Sequence, residues 1–227
     1  VNQLKTGTTI SKPIIHGLYG DRISIVNNGV KLETQDWGSE HAPEIDPFAS
    51  NQIRVVKGVG SLEYGTDAMG GLVLMDPPQL QKNKHLSAAI SLIGQTNGRG
   101  ITSSAKIEQG FKSGIAYFIQ GTYKRFGDQQ TPHYNLSNTT LQEGNLSVGF
   151  GFLKKNWEIN TYYSMFNQQL AILKSSHIGN LTDLKNAIAS DTPLIVKPFT
   201  YTFENPQQKT QHHLGKLITK ATPDIAC

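Results

Sequence analysis

From Leu86 onward, apolar and polar residues alternate with a period of two. Leu86, Ala88, Ile90 and Leu92 share one side, and Ser87, Ala89 and Ser91 share the other. Further runs follow around Ile101, Ser103, Ala105 and Ile107, then around Ile115, Tyr117 and Ile119. The clearest run puts Leu146, Val148, Phe150 and Phe152 opposite Asn145, Ser147, Gly149 and Gly151. Trp157, Ile159, Thr161, Tyr163 and Met165 form the next, and a weaker sixth run occupies 210–219. This alternation predicts strands with one apolar face. Their connections also alternate. Those at 112–114 and 154–156 are tight, those at 127–138 and 170–208 are long, and 96–100 is a modest Gly/Asn turn. Within the longest, Leu181, Leu184 and Ile188 have helical spacing, which predicts a short amphipathic helix whose apolar face packs locally, with a ligand-capturing lid as the alternative.

Upstream, residues 52–75 read as strand, glycine turn, short helical turn, glycine pair and strand. A dinucleotide fingerprint needs a third glycine after Gly58 and Gly60, but Glu63 stands there and its carboxylate would repel phosphate. Gly60 and Gly65 have nucleoside-triphosphate loop spacing, yet Thr66 and Asp67 follow where a lysine is required. Gly70 and Gly71 then break any long helix.

A different pattern emerges from residues 12–30 (KPIIHGLYGDRISIVNNGV), the Ile45-Asp46-Pro47 step, Ile53 to Gly58, Tyr64-Gly65 and Ala68 to Val73. In order and spacing these resemble the plug domain of TonB-dependent outer-membrane receptors, over about residues 7–76. There a plug strand ends in a "DGV"-like turn, here Asn28-Gly29-Val30. A "DP"-led helix, an "I-E-V-x-K-G-P" strand and a "Y-G-x-x-A-x-G-G" segment follow. Val59, Arg54 and the 74–76 segment depart from that pattern without removing a glycine. The residues have physical roles of their own. Gly29 permits a tight turn with φ > 0, and Asp46 before Pro47 is a good helix N-cap. Ile53, Val55 and Val59 are expected on one strand face. The motif residues are Gly29, Asp46, Pro47, Gly58, Tyr64, Gly65, Gly70 and Gly71.

Composition fits an outer-membrane protein. The chain is 37% hydrophobic and 17% charged, below the ~25% charged typical of soluble domains. No run reaches the ~18 apolar residues of a membrane helix, which leaves a barrel open. The single cysteine, Cys227, excludes an intrachain disulfide. Lysines and arginines are scattered at a net charge of +4, which gives no nucleic-acid footprint. The N-terminus carries no signal peptide, so a leader, the first part of the plug and the TonB-binding box are expected to be missing.

The fold class expected is mainly β: a small mixed α/β plug over 1–78, then an incomplete antiparallel up-and-down transmembrane β-barrel over 84–227. Tyr117, Tyr123, Trp157, Tyr162 and Tyr163 are candidate girdle aromatics. About six strands cannot enclose a plug where ~22 are usual, so the chain is expected to be a fragment. An antiparallel sandwich with one wet face fits the alternation equally well.

No catalytic constellation stands out: neither a G-x-S-x-G elbow nor an H-E-x-x-H helix occurs. His212 and His213 adjoin, but strand neighbours point to opposite faces. Sequons beginning at Asn135, Asn138, Asn145 and Asn180 are of the kind an Asn-rich chain produces by chance. The chemically dense loop is 35–46, with Asp36, Trp37, Glu40, His41, Glu44 and Asp46. Carboxylates with imidazole suit a transition metal or a cationic or chelated ligand, with plain surface charge as the alternative. The resemblance implies that this loop lies near the extracellular vestibule, with His133 as a further candidate. It also implies a non-enzymatic importer in the outer membrane of a Gram-negative bacterium. No bound cofactor is implied. TonB, outer-membrane lipid and a small-molecule or metal-chelate ligand are the implied partners, and iron–siderophore, metal ion, cobalamin and glycan all stay open as cargo. A non-transporting outer-membrane barrel or adhesin, or a soluble β-rich binding protein, is the alternative.

Overall fold

A computed structural model describes residues 1–5, 11–32, 44–65, 68–81, 85–176 and 179–221. The N-terminal part opens with a hairpin of β1 (Asn2–Lys5) and β2 (Ser11–Ile14). It continues with a mixed four-stranded sheet of β3 (Ile23–Asn27), β4 (Val30–Lys31), β5 (Gln52–Val56) and β6 (Gly71–Asp76), in the order β4-β3-β6-β5. β3 and β6 pair in parallel at the centre, and Ile23, Ile25, Val26, Leu72, Leu74 and Met75 are buried there. These residues are apolar on both faces, as a central strand covered on both sides requires.

The turn from β3 to β4 is Asn28-Gly29, with φ of 51° and 75° at the two positions. Both lie in the left-handed region that a two-residue hairpin of this hand demands. A Cβ at Gly29 would stand 2.9 Å from Lys216 Nζ, so glycine also admits the wall at this point.

Two local expectations are corrected. The Asp46-Pro47 step leads a three-residue 3-10 turn, Pro47–Ala49, rather than a longer helix. Its next residues, Ser50 and Asn51, turn at once into β5, whose first residue is Gln52. Val59 does not share a strand face with Ile53 and Val55. β5 ends at Val56, and Val59 lies in the 3-10 segment Gly58–Tyr64. Gly58, with a φ of 71°, makes the break.

The remainder is an antiparallel meander. Its strands are β7 (Ser87–Gln95), β8 (Gly100–Gly110), β9 (Ile115–Phe126), β12 (Leu141–Lys154), β13 (Trp157–Ala171) and β14 (Gln207–Ala221), hydrogen-bonded in the order β14-β13-β12-β9-β8-β7. The 127–140 connection holds a small hairpin of β10 (Gln129–Gln130) and β11 (Asn135–Leu136). The six-stranded sheet does not close on itself: among the described residues, β7 and β14 are its edges. The chain is thus mainly β, as expected.

The helix expected in the longest connection forms as α1 (Leu181–Ala189), capped by Asn180, whose side chain accepts from the Asp183 amide. Its apolar stripe does not pack locally: Leu181 and Ile188 are 66% and 77% exposed. Three or four apolar residues make a helix amphipathic, but nothing in that spacing specifies what they pack against.

Candidate functional site at the interface of the two sheets

The large sheet is inverted relative to a water-soluble one. On β12, Asn145 and Ser147 are buried, while Leu146 and Phe150 are 37% and 47% exposed. β9 repeats this, with Gln120 and Thr122 buried and Ile119 and Tyr123 open. The buried side is the one the N-terminal part packs against.

Among the described residues, hydrogen bonds at Asp46 and Asn28 tie the parts together. Asp46 caps its 3-10 turn through Oδ1, which accepts from the Phe48 amide at 3.1 Å. Its other oxygen, Oδ2, accepts from Gln120 Nε2 of β9 at 3.0 Å. The same amide nitrogen lies 3.2 Å from Ser104 Oγ and 2.7 Å from Thr122 Oγ1, so one buried amide joins a motif residue to β8 and β9. Farther along the wall, Lys216 Nζ of β14 donates to the Asn28 carbonyl at 2.6 Å. Asp46 is therefore both the expected cap and an attachment point, a second role that the sequence does not signal.

Beside these contacts the inner face carries a buried carboxylate. Glu143 accepts from Lys124 Nζ and Asn145 Nδ2, each at 2.7 Å, and from Gln168 Nε2 at 3.0 Å. A charge taken out of water needs this degree of compensation. Toward the end of the tight turns, a cleft of about 570 Å³ separates the two sheets, lined by residues including Arg54, Asp76, Leu80, Glu158, Tyr162 and Lys216. Arg54 and Asp76 form an ion pair across β5 and β6 at 2.8 Å. Tyr162 lines this inner space, 8% exposed and packed with Phe118, Leu214 and Leu80. Its assignment as a girdle aromatic is corrected, since Tyr163 takes the outer face and adjacent strand residues cannot share one.

At the other end, the long connections form an ordered rim. Asp128, 1% exposed, accepts from the Thr139 amide at 3.0 Å and the Thr200 amide at 3.3 Å. Asn138 Nδ2 donates to the Ile172 and Pro206 carbonyls, each at 2.8 Å. Glu204 accepts from Lys174 and Lys197. The Lys174 hydrogen bond first, and that from Lys197 second, hold the Glu204 carboxyl down at about 2. The same carboxylate raises the Lys197 ammonium above its ordinary value.

Of the candidate ligand residues, His133 is exposed on the tip of the β10–β11 hairpin, its amide donating to Thr131 Oγ1 at 3.3 Å. Asp36, Trp37, Glu40 and His41 lie outside the described residues. His212 and His213 do face opposite ways. His212 lines a small gap with Glu44 and Asp46, and His213 Nδ1 lies 2.7 Å from the Tyr163 hydroxyl on the outer face.

A buried polar wall gripping a small mixed sheet is the geometry that the plug-like motif implies. The family model described as TonB-dependent Receptor Plug Domain matches residues 1–72. Residues 1–72 are a plug domain of the TonB-dependent receptor family. Solved structures agree in fold. The chain is similar to the copper transporter OprC at 16% identity and a TM-score of 0.64, with 75% of this chain and 26% of that one covered. It is also similar to the siderophore receptor PiuA from Acinetobacter baumannii, at 16% identity and a TM-score of 0.55, over 70% and 21%. A mutant of the ferric enterobactin receptor PfeA from Pseudomonas aeruginosa matches at 14% identity and a TM-score of 0.55, over 69% and 26%. The chain thus spans about a quarter or less of the length of these receptors. At such identities the likeness is one of fold: a plug against an open run of barrel strands.

Proposed function

We propose that this chain contributes the plug and the first barrel strands to an outer-membrane importer of a scarce ligand, energised through TonB. The division into a plug over 1–78 and barrel strands over 84–227 belongs to the same proposal. The observation that carries it is the inverted sheet: polar residues are buried against the plug, and an apolar face is left bare. In water that face would drive aggregation, whereas in lipid it needs no further cover.

The polar interface also suits a plug that must move. A hydrogen bond exchanged for one to water costs only about 0.5–1.5 kcal/mol, so the Asp46–Gln120 and Lys216–Asn28 contacts hold the plug without locking it. An apolar interface of the same extent would resist hydration at ~25 cal/mol per Å². Ligand capture falls to Asp36, Trp37, Glu40 and His41 of the 35–46 loop, with His133 on the rim. Carboxylate and imidazole donors favour a metal ion or a metal chelate over a glycan. No bond in the ligand is made or broken, so the protein is a transporter and not an enzyme.

The test is whole-cell uptake in a deletion strain complemented with the full-length receptor, comparing free metal ions, siderophore chelates and cobalamin. Uptake of one of them, abolished by collapsing the proton gradient, is expected. Asp36→Ala, Glu40→Ala and His41→Ala together should then reduce it at least tenfold. Uptake that is independent of the proton gradient would overturn the TonB coupling. Unchanged uptake by the triple variant would remove the loop from the site.

A further inference from the structure

The outer end of the barrel wall carries an arrangement that plug movement and ligand capture do not use. The segment 199–203 of the long connection places Phe199, Tyr201 and Phe203 at alternate positions. Phe199 and Tyr201 meet edge-on, with centroids 5.1 Å apart. Two arginines lie on this ladder. The Arg99 guanidinium stands 4.2 Å over the Phe199 ring, and that of Arg125 stands 4.9 Å over Phe203 and 5.8 Å over Tyr201. The Tyr201 hydroxyl donates to the Arg99 carbonyl at 2.8 Å, which fixes the segment against the β7–β8 turn.

The ladder sits on the outside of the wall. Arg125 pairs with Ile101 of β8 and Gln142 of β12 across the sheet, and these share the face of Ile119 and Leu146. It is therefore at the upper margin of the bare apolar surface, and the chain folds back over that margin.

Neither guanidinium has a carboxylate partner among the described residues. Arg125 donates to the Gln142 side-chain carbonyl at 2.9 Å and to the Tyr201 backbone carbonyl, both neutral. Of its five N–H groups, those two bonds leave several unused. Arg99 is exposed. Aromatic faces hold a cation in place without cancelling its charge. Two oriented, unneutralised guanidiniums directly above an apolar surface match a phosphate group carried on acyl chains.

The geometry points to a lipid-phosphate site formed by Arg99 and Arg125 on the Phe199–Tyr201–Phe203 ladder, at the outer-leaflet headgroup level of the barrel wall. The occupant is a phosphorylated lipid whose acyl chains lie along Ile101, Tyr123 and Leu146. This rests on the membrane placement proposed above.

The test uses the full-length receptor purified in detergent and titrated with lipid A, with lipid A from which both phosphates have been removed, and with inorganic phosphate. Bound lipid is counted by native mass spectrometry. Lipid A should bind at least about tenfold more tightly than its dephosphorylated form, the scale of one charge-assisted contact. Arg99→Gln with Arg125→Gln should erase that preference, and Arg99→Lys with Arg125→Lys should keep part of it. Arg99→Gln alone breaks no hydrogen bond of its side chain and should weaken lipid A several-fold in a folded receptor, so the result does not hinge on loop integrity. Equal binding of the two lipids, or a preference that survives the double glutamine variant, would overturn the site. Competition by inorganic phosphate at equal concentration would also overturn it, as that marks a free-anion site. Failure of the membrane placement itself would look different: the receptor would stay monodisperse without detergent.

Discussion

Ile119 and Ile101 offer a matched pair for testing which solvent the outer face meets. Each is 51% exposed, so each presents the same fraction of its surface to whatever lies outside. Their depths differ. Ile119 lies opposite Ile107 and Val148, and Val148 lies opposite Tyr163 of β13. The outward run of β13 from Trp157 to Asn167 advances ten residues, or ~33 Å along the strand and ~25 Å in height at a tilt of ~40°. Tyr163 sits six residues above Trp157 and four below Asn167, so the Ile119 row is near mid-band. Ile101 is opposite Arg125, near the upper limit. If the face meets water, arginine at either position should change stability by no more than ~0.5 kcal/mol. If it meets lipid, Ile119→Arg should cost ~2–4 kcal/mol and Ile101→Arg ~0–1 kcal/mol, slightly more because Arg125 is adjacent. At mid-band that is a roughly 30- to 900-fold loss in the folding equilibrium. Folding of the full-length receptor into lipid vesicles, followed by denaturant titration and by gel mobility without heating, reads the difference. Equal costs at the two positions, or two small ones, would refute the placement of the apolar face in a bilayer.

Two other outcomes follow from the interface and the rim. Asp46→Ala removes both a cap and the partner of Gln120, so it should destabilise the plug by about 2–3 kcal/mol and speed hydrogen exchange at 46–51. A cycle with Gln120→Leu should show coupling of about 1 kcal/mol or more, and additivity within ~0.3–0.5 kcal/mol would rule out the direct contact. At the rim, the Glu204 carboxyl is held at about 2, below its ordinary 4.5, by Lys174 and then Lys197. Its depressed value means that the stabilisation is present above about pH 4.5 and is lost as pH falls toward 2. Protease resistance of the 172–206 segment should hold from neutrality to that point and then decline, and Glu204→Gln should abolish the dependence. A segment equally resistant at pH 6 and pH 2.5 would contradict this.

The period-two runs located the six long strands of the described residues because one face of the sheet packs against the N-terminal part and carries polar residues while the other carries apolar ones, so alternate positions meet opposite demands along nearly every strand. Strand ends were less legible. Leu141 to Gly144 extend β12 beyond the clear alternation, because Glu143 is satisfied by Lys124, Asn145 and Gln168, partners that only the paired sheet assembles. Tyr162 resembles a girdle residue in sequence for a related reason: its ring is as amphipathic as that of Tyr163, and only strand parity distinguishes the two. The glycine positions of the plug were legible individually, since φ > 0 at Asn28-Gly29 and Gly58 follows from local turn geometry.

Asp46 shows where local rules stop. Its cap is a short-range property, written in the Asp-Pro step itself. Its bond to Gln120 joins residues 74 positions apart, and no periodicity announces it. Gln120 alternates with Ile119 as any inward residue of a barrel strand would, and a serine there would fit the pattern as well. The difference lies in reach: a long amide spans the gap to the plug while also meeting Ser104 and Thr122. The Asp46 attachment thus depends on side-chain length at one inward position, whereas the apolar character of the outer face depends on the whole outward set. A single substitution at Gln120 can therefore change how firmly the plug is held without changing the strand pattern, whereas the outer face is built residue by residue, so that under the proposed membrane placement each mid-band position would meet lipid separately.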